Sequence, residues 1–401
     1  MTAVQTSPLE PGVVGRLFAA ERPTLDAHLS AYGALPTTGN LLELVDRAGV
    51  LGRGGAGFPS AKKISGLTAR GGGVVVANGA EGEPASDKDA VLLTHAPHLV
   101  LDGLSLVVAA AWAKTAYVVV SRPTLLEPLR RALAERRERV PVKLRLVEDR
   151  FISGEESALV NALNGRPALP SDRLIRVYER GVGARPTLVH NIETLAQIAL
   201  VSRFGAEWFR SVGSHDEPGT FLATLSGAVG RPGVFEVAYG GRLADLLNTA
   251  QAGTPQAVLI GGYHGAWVPG DEVDSVRLSR KGLAPFDASI GAGVVFVLGQ
   301  DRCPLEQSAQ IAGYLADESA GQCGPCINGL PRMADTLARI ARREHDPRLP
   351  GEVERLRRLV TGRGACTHPD GTARFVSSTM RVFADEVARH QRGGCRVSAS
   401  R

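Results

Sequence analysis

The stretch GVVVANGAEGEP, residues 73–84, decides the fold class of this chain. Its apolar run predicts a buried strand, which the glycine- and acid-rich turn then ends. The predicted elements around it are a helix at 40–50, the strand at 73–78, a long helix at 95–113, a strand at 116–121, a helix at 124–139, a strand at 142–149 and a helix that begins in the turn at 152–163. Strands that alternate with helices predict a parallel sheet between helical layers, so we expect a three-layer α/β domain.

The rest of the chain shows two other patterns of predicted secondary structure. From Gly219 to about residue 300, short strands and turns surround one helix, which suggests a small β-grasp module. After Cys303 the sequence is helical throughout, with three or four helices. The expected segments are an N-terminal extension at 1–40, the α/β domain at 41–214, the β-grasp domain at 215–300, a helical domain at 301–392 and a tail at 393–401.

Composition excludes several classes of protein. Of the 401 residues, 44% are hydrophobic and 22% are charged, which is typical of globular domains rather than disordered or collagen-like chains. The net charge of +5 is too mild to indicate nucleic-acid binding. The longest apolar run, 106–113, is too short to span a bilayer, and the N-terminus lacks a secretory pattern. We therefore expect a cytoplasmic protein that is not itself inserted in a membrane.

A glycine cluster at 52–57, GRGGAG, matches the spacing G-x-G-x-x-G of dinucleotide-binding loops. A predicted helix precedes it, whereas a Rossmann fold needs a strand there. Residues with almost no side chain still allow backbone N–H groups to line an anion pocket, and Arg53 and Lys63 could add positive charge. The alternative is a tight connection between a helix and a strand. The density of glycine favours phosphate binding.

Two acidic turns follow predicted strands. Asn78, Glu81 and Glu83 come directly after the first strand, and the sequence Gly154-Glu155-Glu156 follows the third. Ligands of α/β sheets bind at the carboxyl ends of strands, where these groups could accept hydrogen bonds from ribose or from a flavin or nicotinamide ring. The alternative for Glu155 and Glu156 is that they stabilise the N-terminus of the helix that they begin. Two such turns beside a glycine loop favour a cofactor pocket.

Three cysteines of the helical region are candidate cluster ligands. Cys323 and Cys326 form a C-x-x-C pair, and Cys366 follows forty residues later. Iron–sulfur ligation needs such a pair on a tight turn together with a distant partner. A thioredoxin-like redox pair needs a strand-to-helix context that is missing here, and a disulfide is disfavoured in the cytoplasm.

The segments GRGGAGFPSAKK, NGAEGEP, SGEESAL and PTLVHNIETL, in this order, resemble the motif series of one protein family, that of the NADH- and FMN-binding F subunit of bacterial respiratory complex I. Related flavin subunits of hydrogenases and formate dehydrogenases share it, and NGAEGEP is also similar to a turn of the Rnf complex C subunit. The resemblance covers about 41–389 and implies that fold: a three-layer α/β domain, a β-grasp domain of the soluble-ligand-binding type and a helical iron–sulfur domain.

The resemblance implies a set of residues that bind the cofactors, FMN and the nicotinamide dinucleotide. They are Gly52, Arg53, Gly54, Lys63, Asn78, Glu81, Glu83, Gly154, Glu155, Glu156, His190, Asn191 and Thr194. Ala80 stands where the family has Asp, and His190 stands where it has Asn. On the nicotinamide side, Phe58 keeps one of the family's stacking aromatic residues. Gly66 and Gly183 replace two others and Arg180 replaces a Lys, which removes stacking area.

The resemblance also implies iron–sulfur ligation by Cys323, Cys326 and Cys366, but the family's first cysteine falls on Ala320. Three thiolates are enough for a 3Fe-4S cluster, or for a 4Fe-4S cluster with a foreign fourth ligand. The candidates for that ligand are Cys303, His368 and Cys395, and spacing supports none of them. Cys303 and Cys395 are otherwise ordinary buried or terminal thiols. The remaining option is that the cluster has been lost.

The implied function is oxidation of NAD(P)H by hydride transfer to FMN, with single electrons leaving through the cluster. The implied acceptors are a ferredoxin, a thioredoxin-like [2Fe–2S] subunit or a larger redox complex. If that complex lies in a membrane, the chain would be a peripheral subunit of it. One alternative is a non-catalytic FMN electron-transfer subunit that exchanges electrons with a ferredoxin and binds no nicotinamide. Another is a scaffold that uses the β-grasp module for a soluble ligand and has lost both cofactors.

Overall fold

The structure, a computed structural model, describes residues 15–36, 39–172 and 174–397. The chain divides into two compact units: unit 1, Met1–Thr224 with Gly233–Gly241, and unit 2, Leu225–Pro232 with Arg242–Arg401. Parts of the expected N-terminal extension (1–14 and 37–38) and of the expected tail (398–401) lie outside the described residues.

Unit 1 carries the first eight helices and most of the first six strands. Its helices are α1, Leu25–Tyr32; α2, Leu41–Ala48; α3, Ser60–Thr68; α4, Lys88–His95; α5, Pro97–Ala110; α6, Leu126–Ala134; α7, Glu156–Leu163; and α8, Ile192–Arg210. Its strands are β1, Val74–Gly79; β2, Thr115–Val120; β3, Val142–Leu146; β4, Thr187–Asn191; and β6, Gly233–Ala238, while β5, Thr220–Gly227, crosses the division.

The sheet of unit 1 is parallel, in the order β3-β2-β1-β4. Its central strands are buried on both faces, so they lack the apolar–polar alternation of a half-exposed strand. Val75 and Ala77 of β1 pack into a core cluster with α5 and α8, whereas Val74 and Val76 pack on the other face with α7. Helices therefore cover both faces, which confirms the predicted three-layer α/β domain.

Two predicted elements differ in the structure. The helix expected over 95–113 is α5, and a further helix that was not predicted, α4, precedes it; the two are bent by 95° at Ala96, where Pro97 begins α5. The glycine loop leads into a further helix, α3, rather than directly into a strand. Close packing then fixes α5 against α8, because a Cβ on Gly103 would lie 1.9 Å from the carbonyl oxygen of Leu195.

Unit 2 consists of short antiparallel strands followed by helices. Its elements are α9, Leu243–Thr249; β7, Ala257–Ile260; β8, Ala266–Pro269; α10, Arg280–Leu283; β9, Val294–Leu298; α11, Pro304–Asp317; a π-helical turn, Pro325–Gly329; α12, Leu330–Ala341; α13, Leu349–Val360; α14, His368–Val382; and α15, Ala384–Gln391. Strand β7 pairs with β8 and with β9, both antiparallel. The described part of the chain after Cys303 contains five helices, one more than the upper expectation, because α14 and α15 are separated at Phe383.

Among the described residues, no single helix has the length and apolar character needed to cross a membrane. The bent pair α4 and α5 meets both criteria only when the two helices are counted together.

Candidate functional site

The candidate site lies where the direction of the chain through the sheet of unit 1 reverses. From β1 the chain moves to β2 and β3 on one side, and it then returns to β4 on the other side. A reversal of this kind opens a crevice at the carboxyl ends of the two strands between which it occurs. Asn78 of β1 and Asn191 of β4 are paired in register at that edge. The amide of Asn191 donates to Asp89 at 2.7 Å.

The two acidic turns meet at this edge. The side-chain amide of Asn78 donates to the carbonyl of Gly154 at 3.0 Å, which joins the turn after β1 to the turn before α7. A Cβ on Gly82 would lie 2.3 Å from the carbonyl oxygen of Arg150, and one on Gly154 would lie 2.6 Å from that of Ala80. Only glycine allows backbones to approach so closely. The turns that were predicted from separate segments therefore form one structure.

The carboxylates of these turns have different environments. Glu81 is buried, and it accepts from Ser86 Oγ at 2.6 Å and from the N–H groups of Asp89 and Ala90 at the start of α4. Burial, and then the charge of Asp89, raise the pKa of Glu81 to about 7. Glu81 thus holds the first turn of α4, a structural role.

Glu155 also acts locally, since its carboxylate caps α7 by accepting from the backbone N–H groups of Ser157 and Ala158 at 2.9 Å. This is the structural alternative considered for Glu155. Glu83 accepts weakly from the N–H of Ala85, at 3.4 Å. Glu156 differs from both, because its carboxylate lies 2.9 Å from Nζ of Lys63, a candidate phosphate-binding residue.

The glycine loop is held in place by Arg53, whose side chain is buried beneath it and is 1% exposed. Its backbone N–H donates to Thr194 Oγ1 at 2.9 Å, and its guanidinium donates to the carbonyls of Thr220 and Leu51, both at 3.0 Å. The Arg53 guanidinium therefore positions the loop instead of presenting charge on its surface. A Cβ on Gly54 would lie 3.3 Å from Asn191 Cβ, so the loop passes close to the end of β4.

A buried charge network that sequence reasoning missed lies beneath the loop. Lys88 Nζ is 2.6 Å from Asp89 and 2.9 Å from Glu193. Burial alone would lower the pKa of Lys88, but these carboxylates and Glu81 outweigh it and raise it. Arg53 Nε lies 3.9 Å from Glu193. The sequence offered one signal of this network, namely that Lys88 is a single Lys among the acidic residues after β1. Burial of a Lys costs much free energy unless carboxylates pair with it.

Lys63 and His190 lie beside the crevice. Lys63 Nζ donates to the carbonyl of Val189 at 2.6 Å, and the side chain remains 28% exposed, so its ammonium is both oriented and accessible. His190 is fully buried, and burial followed by the charge of Lys63 lowers its pKa to about 3, so its ring is neutral. Among the described residues, no partner lies within hydrogen-bonding distance of His190 Nε2.

The candidate nicotinamide side carries few aromatic groups. Phe58 is 53% exposed at the end of the glycine loop. A Cβ on Gly66 would meet nothing within 4 Å, and one on Gly183 would meet only Arg185 Nε, at 3.8 Å. An added Cβ would therefore meet no close contact at either of the two positions where the resemblance implies aromatic residues in the family.

The three predicted cluster ligands converge in unit 2. Cys323 Sγ and Cys326 Sγ are 3.8 Å apart beside the π-helical turn. Burial, followed by the charges of Cys323 and Cys366, raises the pKa of Cys326 to about 11. Burial would also raise the pKa of Cys323, but N–H groups of Cys326 and Ala365 that point at its sulfur outweigh this and lower it. Thiols that repel one another when ionised fit a cationic iron centre, which makes thiolate the favoured form.

None of the three candidates for the fourth ligand joins these cysteines. Both ring nitrogens of His368 are engaged, with His264 at 3.1 Å and with the carbonyl of Leu315 at 2.7 Å. Cys303 and Cys395 lie instead beside His390, whose ring contacts the carbonyl of Ile340 at 3.1 Å. Ile340 is fourteen residues after Cys326 along the π-helical turn and α12, roughly 20 Å at 1.5 Å per residue.

Comparison with known proteins identifies the family. The family model of the Nuo51 FMN-binding domain matches residues 45–200, and that of the NADH-ubiquinone oxidoreductase-F iron–sulfur binding region matches 306–390. The chain is also 30% identical to F subunit 2 of the NADH-quinone oxidoreductase of Rhizobium meliloti (strain 1021), over 88% of this chain and 89% of that protein. The chain belongs to the family of NADH-quinone oxidoreductase F subunits.

Two hydrogenase proteins extend the comparison. The chain is 27% identical to the NADP-reducing hydrogenase subunit HndC of Solidesulfovibrio fructosivorans, over 88% of this chain and 76% of that protein. The crystal structure of NAD+-reducing [NiFe]-hydrogenase in the H2-reduced state superposes with a TM-score of 0.80 at 29% identity. It covers 95% of this chain, which spans 65% of the hydrogenase chain. The predicted fold class and the resemblance are both confirmed.

The residues present fit the cofactors of this family. The glycine loop and the joined acidic turns meet at one sheet edge, and His190, whose Nε2 has no partner among the described residues, is buried next to Asn191 of that edge. Three soft sulfur donors fit an iron–sulfur centre. The chain thus has an FMN-binding domain and an iron–sulfur-binding region.

Proposed function

We propose that this chain oxidises NAD(P)H at FMN and passes single electrons through an iron–sulfur cluster to a partner within a larger redox complex. The observation that carries the proposal is the convergence at one sheet edge of the glycine loop, both acidic turns and the Asn78–Asn191 pair. Relatives named as NADH-quinone oxidoreductase and NADP-reducing hydrogenase subunits support the electron-input role.

The residues of the chain would have distinct tasks. Backbone N–H groups of the glycine loop and the ammonium of Lys63 would hold phosphate, with Glu156 and the Val189 carbonyl keeping that ammonium in place. The neutral ring of His190 would give a hydrogen bond to the flavin without adding charge. Arg53 would act as a positioning residue, because its guanidinium binds protein carbonyls. FMN, when bound, takes two electrons with a hydride and releases them singly to the cluster.

The cluster would be held by Cys323, Cys326 and Cys366, with Ala320 leaving one position without a protein thiolate. Such a centre is either 3Fe-4S or 4Fe-4S with a ligand that is not one of the three candidates. Because the candidate flavin site is the electron entry and the candidate cluster is the exit, a ferredoxin or a thioredoxin-like [2Fe–2S] subunit is the expected acceptor. A cytoplasmic location, peripheral to a membrane complex, fits this role.

Anaerobic rapid mixing of the FMN-loaded protein with NADH and with NADPH tests the proposal. Prompt loss of the flavin absorbance is expected with at least one of them. The variant Phe58→Ala should weaken this response while keeping FMN, because it removes the exposed aromatic face beside the loop. Lys62→Ala, an exposed neighbour of Lys63, is the matched control and should behave as the wild type.

The alternative is a subunit that exchanges electrons with a ferredoxin and binds no nicotinamide. The open space beside Gly66 and Gly183 favours it, since two stacking faces are missing. If the flavin is bleached by reduced ferredoxin but by neither nicotinamide, the alternative replaces the proposal. If the protein retains no flavin after reconstitution and desalting, the assignment of the pocket is wrong.

A further inference from the structure

A second group of metal-binding side chains lies in unit 2, away from the three cluster cysteines. It consists of Cys303, Glu386, His390 and Cys395, all buried, and their ligand atoms lie within 4.8 Å of one another. Three separate segments contribute them. Cys303 precedes α11, Glu386 and His390 lie one turn apart on α15, and Cys395 follows the end of that helix.

Two of the distances within the group fit a tetrahedral ion. Bonds of about 2.0–2.3 Å to zinc place neighbouring ligand atoms roughly 3.3–3.8 Å apart in a tetrahedron. The distance from Cys303 Sγ to His390 Nε2 is 3.5 Å, and that from His390 Nε2 to Glu386 Oε1 is 3.3 Å. Both fall in this range without movement of a side chain.

Contacts behind the ligands orient them toward a common point. The carbonyl of Ile340 lies 3.1 Å from His390 Nδ1, so Nδ1 carries the proton and Nε2 directs its lone pair at the sulfurs. Glu386 is held by Arg389 Nε at 3.2 Å and by the backbone N–H of Arg396 at 2.8 Å. The cation of Arg389 also offsets the excess negative charge of two thiolates and a carboxylate around a divalent ion.

The competing explanations account for less. An ion pair between His390 and Glu386 uses only half of the group and leaves two buried thiols side by side. A disulfide between Cys303 and Cys395 would not explain why the lone pair of His390 Nε2 faces the sulfurs. The group also lies at the other end of α12 from Cys326, roughly 20 Å away, so it is separate from the iron–sulfur ligands.

We propose that Cys303, Cys395, His390 and Glu386 bind one zinc ion that fastens the C-terminal helix and the segment after it to the start of α11. Two thiolates with an imidazole favour zinc over the hard cations calcium and magnesium. Four protein ligands in a buried position leave no open site for substrate, so the role is structural. Binding releases the thiol protons to solvent.

Metal analysis of the full-length protein, purified without chelator, tests this proposal. Zinc and iron are measured per chain by mass spectrometry for the wild type, Cys395→Ser, Cys303→Ser and Cys323→Ser. About one zinc per wild-type chain is expected. Both Cys395→Ser and Cys303→Ser should lose most of the zinc while keeping iron and FMN. Cys323→Ser is the reciprocal control and should lose iron while keeping zinc.

Cobalt reconstitution of the wild type keeps the proposal testable if a serine variant fails to fold. Replacement of zinc by Co(II) should give strong thiolate-to-cobalt absorption together with the visible bands of a tetrahedral site. Three results would each overturn the proposal: wild-type protein that binds neither zinc nor cobalt, a Cys303–Cys395 disulfide in the freshly purified protein, or undiminished zinc binding in both folded serine variants.

Discussion

Gly82→Ala should damage the flavin site without touching any group that contacts the ligand directly. The added Cβ would lie 2.3 Å from the carbonyl oxygen of Arg150 and 2.8 Å from that of Phe151, both backbone atoms that cannot rotate away. Carbon and oxygen approach to roughly 3.3 Å in favourable contacts, so the two acidic turns must separate by about 1 Å. Overpacking of this kind costs about 1–3 kcal/mol.

The separation also stretches the hydrogen bond from Asn78 to the carbonyl of Gly154, which is 3.0 Å long and contributes about 1 kcal/mol. The combined cost of roughly 2–4 kcal/mol lowers the stability of the fold. The displacement of the turns should also lower the FMN affinity by about tenfold, which is about 1.4 kcal/mol of binding free energy. Quenching of FMN fluorescence on titration measures the Kd, and thermal melting measures the loss of stability.

Gly66→Ala is the matched control for this substitution. It introduces the same methyl group in α3, where nothing lies within 4 Å, and alanine is the better helix former by about 1 kcal/mol. This variant should keep the wild-type Kd and melt at the same or a higher temperature. If Gly82→Ala binds FMN within twofold of the wild type and melts at the same temperature, the joined turns do not form the site.

Three other predictions concern the cluster, the flavin site and the pH dependence of stability. Ala320→Cys should supply the missing thiolate and raise the iron content and oxygen resistance of the cluster, measured by iron analysis and paramagnetic resonance; Ala320→Ser, the control, should not. His190→Asn should keep FMN binding, whereas His190→Leu should weaken it about tenfold, and equal Kd values for the two would refute a hydrogen bond from this residue. Burial raises the pKa of Glu236 from 4.5 to about 7, so the folded state holds this proton more tightly than the unfolded state. The protonated Glu236 therefore contributes fully to the free energy of unfolding below pH 4.5, and this contribution falls by about 3 kcal/mol as the pH rises through 7. Thermal melting between about pH 5 and about pH 8 should show a decline in the wild type that Glu236→Gln lacks, and parallel profiles would contradict it.

The fold and the location of the site could be predicted from sequence because both follow from local rules. The apolar runs that became β1 and β2 identified the parallel sheet, and polar turns after such strands meet at one edge. What spacing could not show was the direction of individual side chains. Arg53 points beneath its loop and Glu155 turns back onto its own helix, and each is fixed by contacts that a motif does not encode.

Long-range pairings account for the other misses. Lys88 and Glu193 are more than a hundred residues apart in the sequence, and they meet only because β1 and β4 are neighbours in the sheet. Cys303 and Cys395 were treated as single thiols or as spare cluster ligands. The spacing of Glu386 and His390 at one helical turn, with Cys395 shortly after, was a local signal of a metal site. It needed Cys303 from a distant segment to be complete.

The inward attachment of Arg53 has a consequence for how the cofactor is loaded. Its bonds to Thr194, Thr220 and Leu51 hold the glycine loop in shape through protein atoms alone. Arrival of the flavin therefore requires no ordering of this loop, and the entropy that such ordering would cost has already been met during folding.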